Sequence, residues 1–205
     1  MPPLQFWFEF ASTYTYLAAL RIEELAAGGR VPIEWKPLLL GPIFRGQGWN
    51  DSPFNIYPAK GRYMWRDMER LCGKYGLPFR RPTQFPRSGL LAARVACAGA
   101  GEPWCPGFVR AVFRANFAED RDIAARETIE KILATLGQDG RGLIARAEAP
   151  DNKDRLRALG EEAAAAGIFG APSFVVEGEL FWGNDRLEDA LRWYGTLRDR
   201  RQPSG

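Results

Sequence analysis

"FEFASTYTYL", Phe8 to Leu17, joins an apolar, aromatic segment to a run of hydroxyl residues and then to a helix-like pattern. The segment that leads into it, Leu4 to Phe10, is short and continuously apolar, as a buried strand is. From Thr13 to Ala27 the chain is rich in Ala, Leu and Glu, and Gly28-Gly29 predicts a helix end there. "VPIEWKP" (residues 31–37) sets Val31, Ile33 and Trp35 against Pro32, Glu34 and Lys36, a period of two that predicts a second strand. Its prolines cannot donate ladder hydrogen bonds, which places that strand at a sheet edge. A helical crossover this short predicts a parallel, right-handed β-α-β unit.

Residues 41–59 read as a loop, punctuated by Gly41, Pro42, Gly46, Gly48, Pro53 and Pro58. Loops of that length inside a compact domain are uncommon and often functional. Helical patterns then cover roughly 60–75, 88–99, 104–118, 125–136 and 140–148. Asp151 predicts the N-cap of a helix running to Ala166 and ended by Gly167. "PSFVV" reads as a strand, "EG" as a hairpin turn into "ELFWG", and Asp185 with Glu188 as a capping box for a last helix. Two strands alone are marginal, so the two ends of the chain are expected to build one four-stranded mixed α/β sheet. The all-helical segment is inserted between them.

Composition narrows the function. Net charge is +3, with Lys and Arg interspersed among Asp and Glu, the pattern of a solvated helix surface and no nucleic-acid partner. No apolar run approaches the ~18 residues of a membrane span, and no signal-peptide pattern opens the chain, so a soluble cytoplasmic protein with no membrane partner is expected. Cys72, Cys97 and Cys105 are scattered and odd in number, which suits core residues in a reducing compartment. The chain contains no histidine. Serine–histidine catalysis, histidine metal sites and imidazole proton shuttles are thereby excluded, and no metal is expected.

Four stretches could carry chemistry. Ser12, at the strand-to-helix junction, is a favoured N-cap; the same helix end offers free N–H groups and a positive dipole to an anion or thiolate. In "GIFGAPSFVV" (Gly167–Val176), Pro172 directly precedes the strand; a trans loop proline is the common case. A cis bond at Ala171–Pro172 would leave Ala171 main-chain groups open to a bound peptide. In "GNDRLEDAL", Asn184 and Asp185 either cap the last helix or bind an amino-acid-like headgroup. "GWNDSPFNIYPAKGRYMWRDMER" (residues 48–70) mixes Asn50, Lys60 and Arg62 with Trp49, Phe54, Tyr57, Tyr63 and Trp65. Core packing with solvated charges is the plain alternative for that stretch. No P-loop, dinucleotide-type glycine motif or zinc-ligand spacing occurs.

Together these stretches resemble the DsbA branch of the thioredoxin fold. Within it, "FEFASTYTYLA", "NDSPFNIYPAKGRYMWRDMER" and "GIFGAPSFVVEGELFWGNDRLEDAL" are similar to 2-hydroxychromene-2-carboxylate isomerases and kappa-class glutathione transferases. The resemblance implies a thioredoxin-like domain from residues 1–40 and 150–205, with a loop and inserted helical domain over 41–149. In the branch's redox motif, aromatic-acidic-aromatic-x-Cys-x-x-Cys-Tyr, Ser12 falls on the first cysteine and Thr15 on the second. Disulfide exchange needs both sulfurs, so dithiol redox chemistry at this site is excluded.

The resemblance further implies glutathione as the cofactor, with Ser12 bonding its sulfur and favouring the thiolate. Ala171, before an expected cis Pro172, would pair its main chain with the cysteinyl unit. Asn184 and Asp185 would take the γ-glutamyl end, and Asn50 and Lys60 would lie near glutathione and substrate. Arg45 and Lys60 would anchor the carboxylate of a small aromatic substrate. The expected activity is glutathione-dependent cis–trans isomerisation of the hydroxychromene-carboxylate type, in aromatic-compound catabolism, by a homodimer. A kappa-like transferase or peroxidase, or a non-catalytic thiol-binding protein, are the alternatives. "STYT" departs from the commoner Ser-Pro-Tyr-Ser, and the stretch from Asn50 to Lys60 is one residue longer than in kappa transferases.

Overall fold

The computed structural model describes residues 1–201. Strand β1 (Leu4–Phe8) leads through Ser12 into helix α1 (Thr13–Gly29) and strand β2 (Ile33–Pro37), which lies parallel to β1 in the register Leu4–Ile33 to Phe8–Pro37. Strands β3 (Ser173–Val176) and β4 (Glu179–Trp182) return antiparallel, completing a four-stranded mixed sheet in the order β2-β1-β3-β4. The proline-flanked β2 is at the edge, as its missing donors require. Glu177 and Gly178 turn the β3–β4 hairpin with positive φ at both positions.

Alternation along the strands sorts the core. Leu4, Phe6 and Phe8 face one side with Phe174 and Val176, while Trp7 and Val175 face the other. Phe6 and Phe174, directly opposite across β1 and β3, stack at 5.4 Å. Each such side chain, fully buried, contributes about 2 kcal/mol. The first side is covered by α1 and by helices between the two halves of the sheet. These are α3 (Pro53–Ile56), α4 (Pro58–Tyr75), α5 (Leu90–Ala98), α6 (Cys105–Phe117), α7 (Arg126–Thr135) and α8 (Gly140–Glu148), while α2 (Leu40–Gly46) packs Leu40 and Ile43 on the second side. Phe108, Val112, Phe113, Ile129 and Ile144 from this helical stretch join the same buried cluster as the sheet. The second side packs on α9 (Pro150–Ala165) through Ala163. Helix α10 (Leu187–Arg201) returns to the first side through Leu187, Ala190 and Tyr194.

Four local expectations are corrected. Helix α1 continues through Gly29, and it is Arg30, at φ 49, that takes the left-handed cap, its N–H bonding back to Ala26 and Ala27. The expected loop 41–59 contains two short helices and the start of α4 at Pro58. Ala149, not Asp151, is the N-cap of α9; Pro150 occupies the first helical position, where a missing N–H is harmless. The Asp185–Glu188 capping box does not form. A single 3-10 turn, Asn184–Arg186, precedes α10, and Glu188 is drawn into an ion pair with Arg21.

Candidate active site

Ser12 follows the carboxyl end of β1 and caps α1 with extended backbone (φ −82, ψ 120). Its Oγ accepts the Thr15 N–H at 3.3 Å and donates to the Ala171 carbonyl at 3.0 Å. No acidic side chain occupies the first turn of α1, so the positive helix end is not neutralised from within. The Ala171–Pro172 bond is cis, and so is Phe85–Pro86, which the sequence did not announce. The Ala171 carbonyl stands against Ser12 and accepts its hydroxyl. The next residues hold the loop rigid: Gly183 N–H donates to the Pro172 carbonyl at 2.9 Å, and Ser173 Oγ to the Gly170 carbonyl at 2.8 Å. At Gly170 a Cβ would lie 2.5 Å from the Trp182 indole nitrogen, so a larger residue there would have to push that half-exposed ring aside.

Ser12, Arg45, Asn50, Lys60, Ala171, Pro172, Asn184 and Asp185 all line one cleft of about 1680 Å³. None of the three cysteines lines it. All three are buried, and burial pushes the Cys72 thiol up to about 11 and the Cys105 thiol up to about 12. Thr13 and Thr15, which follow Ser12 in sequence, are buried, and their hydroxyls have no hydrogen-bond partner among the described residues. A second cleft, about 1080 Å³, runs along the open edge of β2 past Trp35, Lys36 and Cys97 and contains none of the eight residues.

The surroundings of these residues differ. Asn184 is 3% exposed, and its Oδ1 accepts from Arg21 at 3.2 Å. Arg21 also pairs with Glu188 and lies 3.7 Å from the centre of the Tyr75 ring, which leaves Asn184 little freedom. Asp185 is exposed, 3.6 Å from Arg186. Arg45, in the last turn of α2, and Lys60, in the first turn of α4, are exposed cations lining the same cleft. Lys60 Nζ lies 5.0 Å from the Tyr57 ring. Asn50 is exposed beside Asp51, whose carboxylate accepts from Asn55.

Sequence reading missed several residues of the cleft. Glu9 is 7% exposed and accepts from Ala11 N–H at 3.2 Å and Leu40 N–H at 2.9 Å. Burial pushes its carboxyl up, against the pull of the Leu40, Ala11 and Phe10 amides. An acid closing an apolar strand was the available signal. Tyr14 donates to Asp67 at 3.0 Å; burial and then the Asp67 charge push its phenol up, so it stays a protonated donor. Two aromatic pairs stand in the cleft walls, Phe44–Trp49 at 5.7 Å and Phe169–Trp182 at 4.8 Å, the latter half exposed. Nothing local in the sequence marks either pair.

Comparison with known proteins follows the same lines. The 2-hydroxychromene-2-carboxylate isomerase of Sphingobium xenophagum is 29% identical over 187 residues, 90% of this chain and 94% of that one. Glutathione S-transferase kappa 2 of Caenorhabditis elegans is 24% identical over 97% of this chain and 96% of its own length. Among solved structures, a 2-hydroxychromene-2-carboxylate isomerase superposes with a TM-score of 0.88 at 22% identity, covering 100% of both chains. A probable DsbA oxidoreductase from Streptomyces coelicolor superposes at 0.78 and 19% identity, over 99% of this chain and 92% of that one. These likenesses establish the fold. The DSBA-like thioredoxin domain matches residues 3–194, nearly the whole chain, and the protein belongs to that family.

Proposed function

We propose that this protein is a glutathione-dependent cis–trans isomerase of the 2-hydroxychromene-2-carboxylate type, acting on a small aromatic carboxylate. The observation that carries the reading is the Ser12–Ala171 hydrogen bond at 3.0 Å, in a cleft that no cysteine lines. The protein has kept the thioredoxin-type seat for a sulfur, a capped helix end facing the loop before a cis proline, without supplying the sulfur. The relatives named above are consistent with an external thiol taking that place.

The cleft residues fit glutathione. Ser12 would offer its hydroxyl to the sulfur, and the N-terminal amides of α1 would favour the anion. Ala171 would offer main-chain groups to the cysteinyl unit, and Asn184 and Asp185 would hold the γ-glutamyl end through its ammonium and carboxylate. When bound, glutathione would supply a nucleophilic sulfur whose reversible addition to a conjugated double bond lets that bond rotate before it re-forms. No net oxidation and no histidine are required. Arg45 and Lys60 would anchor the substrate carboxylate, and the aromatic walls would align the ring.

Two measurements test this. Glutathione mixed with the protein at neutral pH should show thiolate absorbance, and turnover of hydroxychromene carboxylate should require glutathione. Absence of a thiolate band together with no glutathione-dependent thermal shift would sink the reading. The kappa-type relative, aligned over 97% of the chain, favours a second reading as a transferase. Recovery of a stable glutathione conjugate, with glutathione consumed stoichiometrically, would select it.

A further inference from the structure

We infer that Glu9 is a positioning residue that ties the seat of the sulfur at Ser12 to the cationic arm carrying Arg45. The inference rests on the functional reading above for the role of Arg45, and on geometry alone for the tie itself.

Glu9 makes bonds to two separate segments. Its main-chain carbonyl accepts the Ser12 N–H at 3.0 Å. Its carboxylate takes Ala11 N–H on one oxygen at 3.2 Å and Leu40 N–H on the other at 2.9 Å. Leu40 opens α2, and the amides of a helix's first turn have no partner inside the helix. Leu39, the N-cap residue, has no side-chain acceptor, and α2 has no acid in its first turn. Glu9 thus does, from the residue after β1, what a local cap would do, and α2 carries Arg45 in its last turn. A third segment closes over the carboxylate. A Cβ at Gly89 would lie 3.0 Å from Glu9 Oε1 and 2.8 Å from Phe10 Cβ, so only glycine fits there.

A carboxylate is required because both its oxygens accept. Glutamine has the same shape but one acceptor, so its NH2 would face either the Ala11 or the Leu40 N–H. With the site buried, water cannot readily replace the lost bond.

The test is a double-mutant cycle between Glu9→Gln and Arg45→Ala, read as KM for the aromatic carboxylate, together with glutathione affinity by calorimetry. Glu9→Gln should raise substrate KM about tenfold in the native background, the loss of one charge-assisted bond, with glutathione Kd within about twofold. In the Arg45→Ala background the same change should cost less than about twofold. A tenfold effect in both backgrounds, or glutathione affinity falling in step with KM, would overturn the inference. Hydrogen exchange at the Ala11 and Leu40 amides tests the tie without any ligand: the amide that loses its acceptor should quicken about tenfold in Glu9→Gln, and unchanged exchange at both would overturn it. Native protein that turns over without glutathione would fail the functional reading and leave the exchange result standing.

Discussion

The Ser12 hydroxyl donates to the carbonyl of Ala171, 159 positions away in sequence, and at the same time caps the helix that begins beside it. A hydroxyl has one hydrogen to give. A sulfur bound at this site would therefore compete with Ala171 for that hydrogen, and the freed carbonyl would turn to an amide of the ligand. Ser12→Ala removes the cap bond and the cross-link together. Stability should fall by only about 1–2 kcal/mol. Turnover should fall about 100-fold or more, since the lost donor is the one that would hold the sulfur as the reactive thiolate. Thermal unfolding and steady-state rates check both; turnover within twofold of native would reduce Ser12 to a cap.

Ser12→Cys should place a reactive thiol at the helix end. The ordinary thiol value near 8.5 should be lowered, as for cysteines at other helix N-termini. The native cysteines behave oppositely, since burial pushes Cys72 up to about 11 and Cys105 up to about 12. Alkylation of the folded variant at pH 7 should thus modify one cysteine, and the native protein none. An introduced thiol titrating at or above the ordinary value of about 8.5 would show that the helix end does not stabilise a sulfur anion.

The β-α-β start, the β-hairpin and the long helices were legible because each is decided by its own periodicity. What was not legible is decided from a distance. The stretch after Gly41 reads as loop, yet α2 forms because Glu9 from the end of β1 supplies the acceptor its first turn lacks. Glu188 has the spacing of a capping residue, but Arg21, 167 positions away, takes its carboxylate. The Gly28-Gly29 pair looks like a helix stop. The end falls one residue later, where Val31 N–H bonds back to the Ala26 carbonyl and Arg198 bonds the Gly29 carbonyl. Seven of the eight site residues stood out as candidates in the sequence, Arg45 came only with the resemblance, and all eight line one cleft. Of the partners that fix them, Arg21 for Asn184 has no mark in the local sequence, and Glu9 for α2 shows only as an acid closing an apolar segment.

Substitution of Asn184 should separate binding from chemistry. It is buried, fixed by Arg21, and lies apart from Ser12 in sequence and in hydrogen bonding. Asn184→Ala should raise KM for glutathione about fivefold to tenfold while leaving kcat within about twofold, the signature of a contact made equally in ground and transition states. A fall in kcat with KM unchanged would remove Asn184 from the headgroup site.

Acid should loosen the loop that follows α4, and the sign comes from Asp120. The Thr83 N–H, donating at 2.9 Å, and then Arg87 hold its carboxyl at about 2, below the ordinary value near 4. The folded state therefore favours the charged form. That contribution is present above about pH 4 and is lost as pH falls through about 2. Arg87, 5% exposed, also donates to the Asn116 side chain at 3.2 Å and the Arg121 carbonyl at 3.0 Å. Asn116 in turn donates to the Phe10 carbonyl at 3.1 Å, two residues before Ser12. Protonating Asp120 leaves the Arg87 cation without its counter-charge in a buried place, which is costly. Urea midpoints of native protein and Asp120→Asn should differ clearly at neutral pH and converge as the pH is lowered from about 4 toward 2. A gap that stays constant over that range would mean that Asp120 serves as a hydrogen-bond acceptor whose charge does not matter.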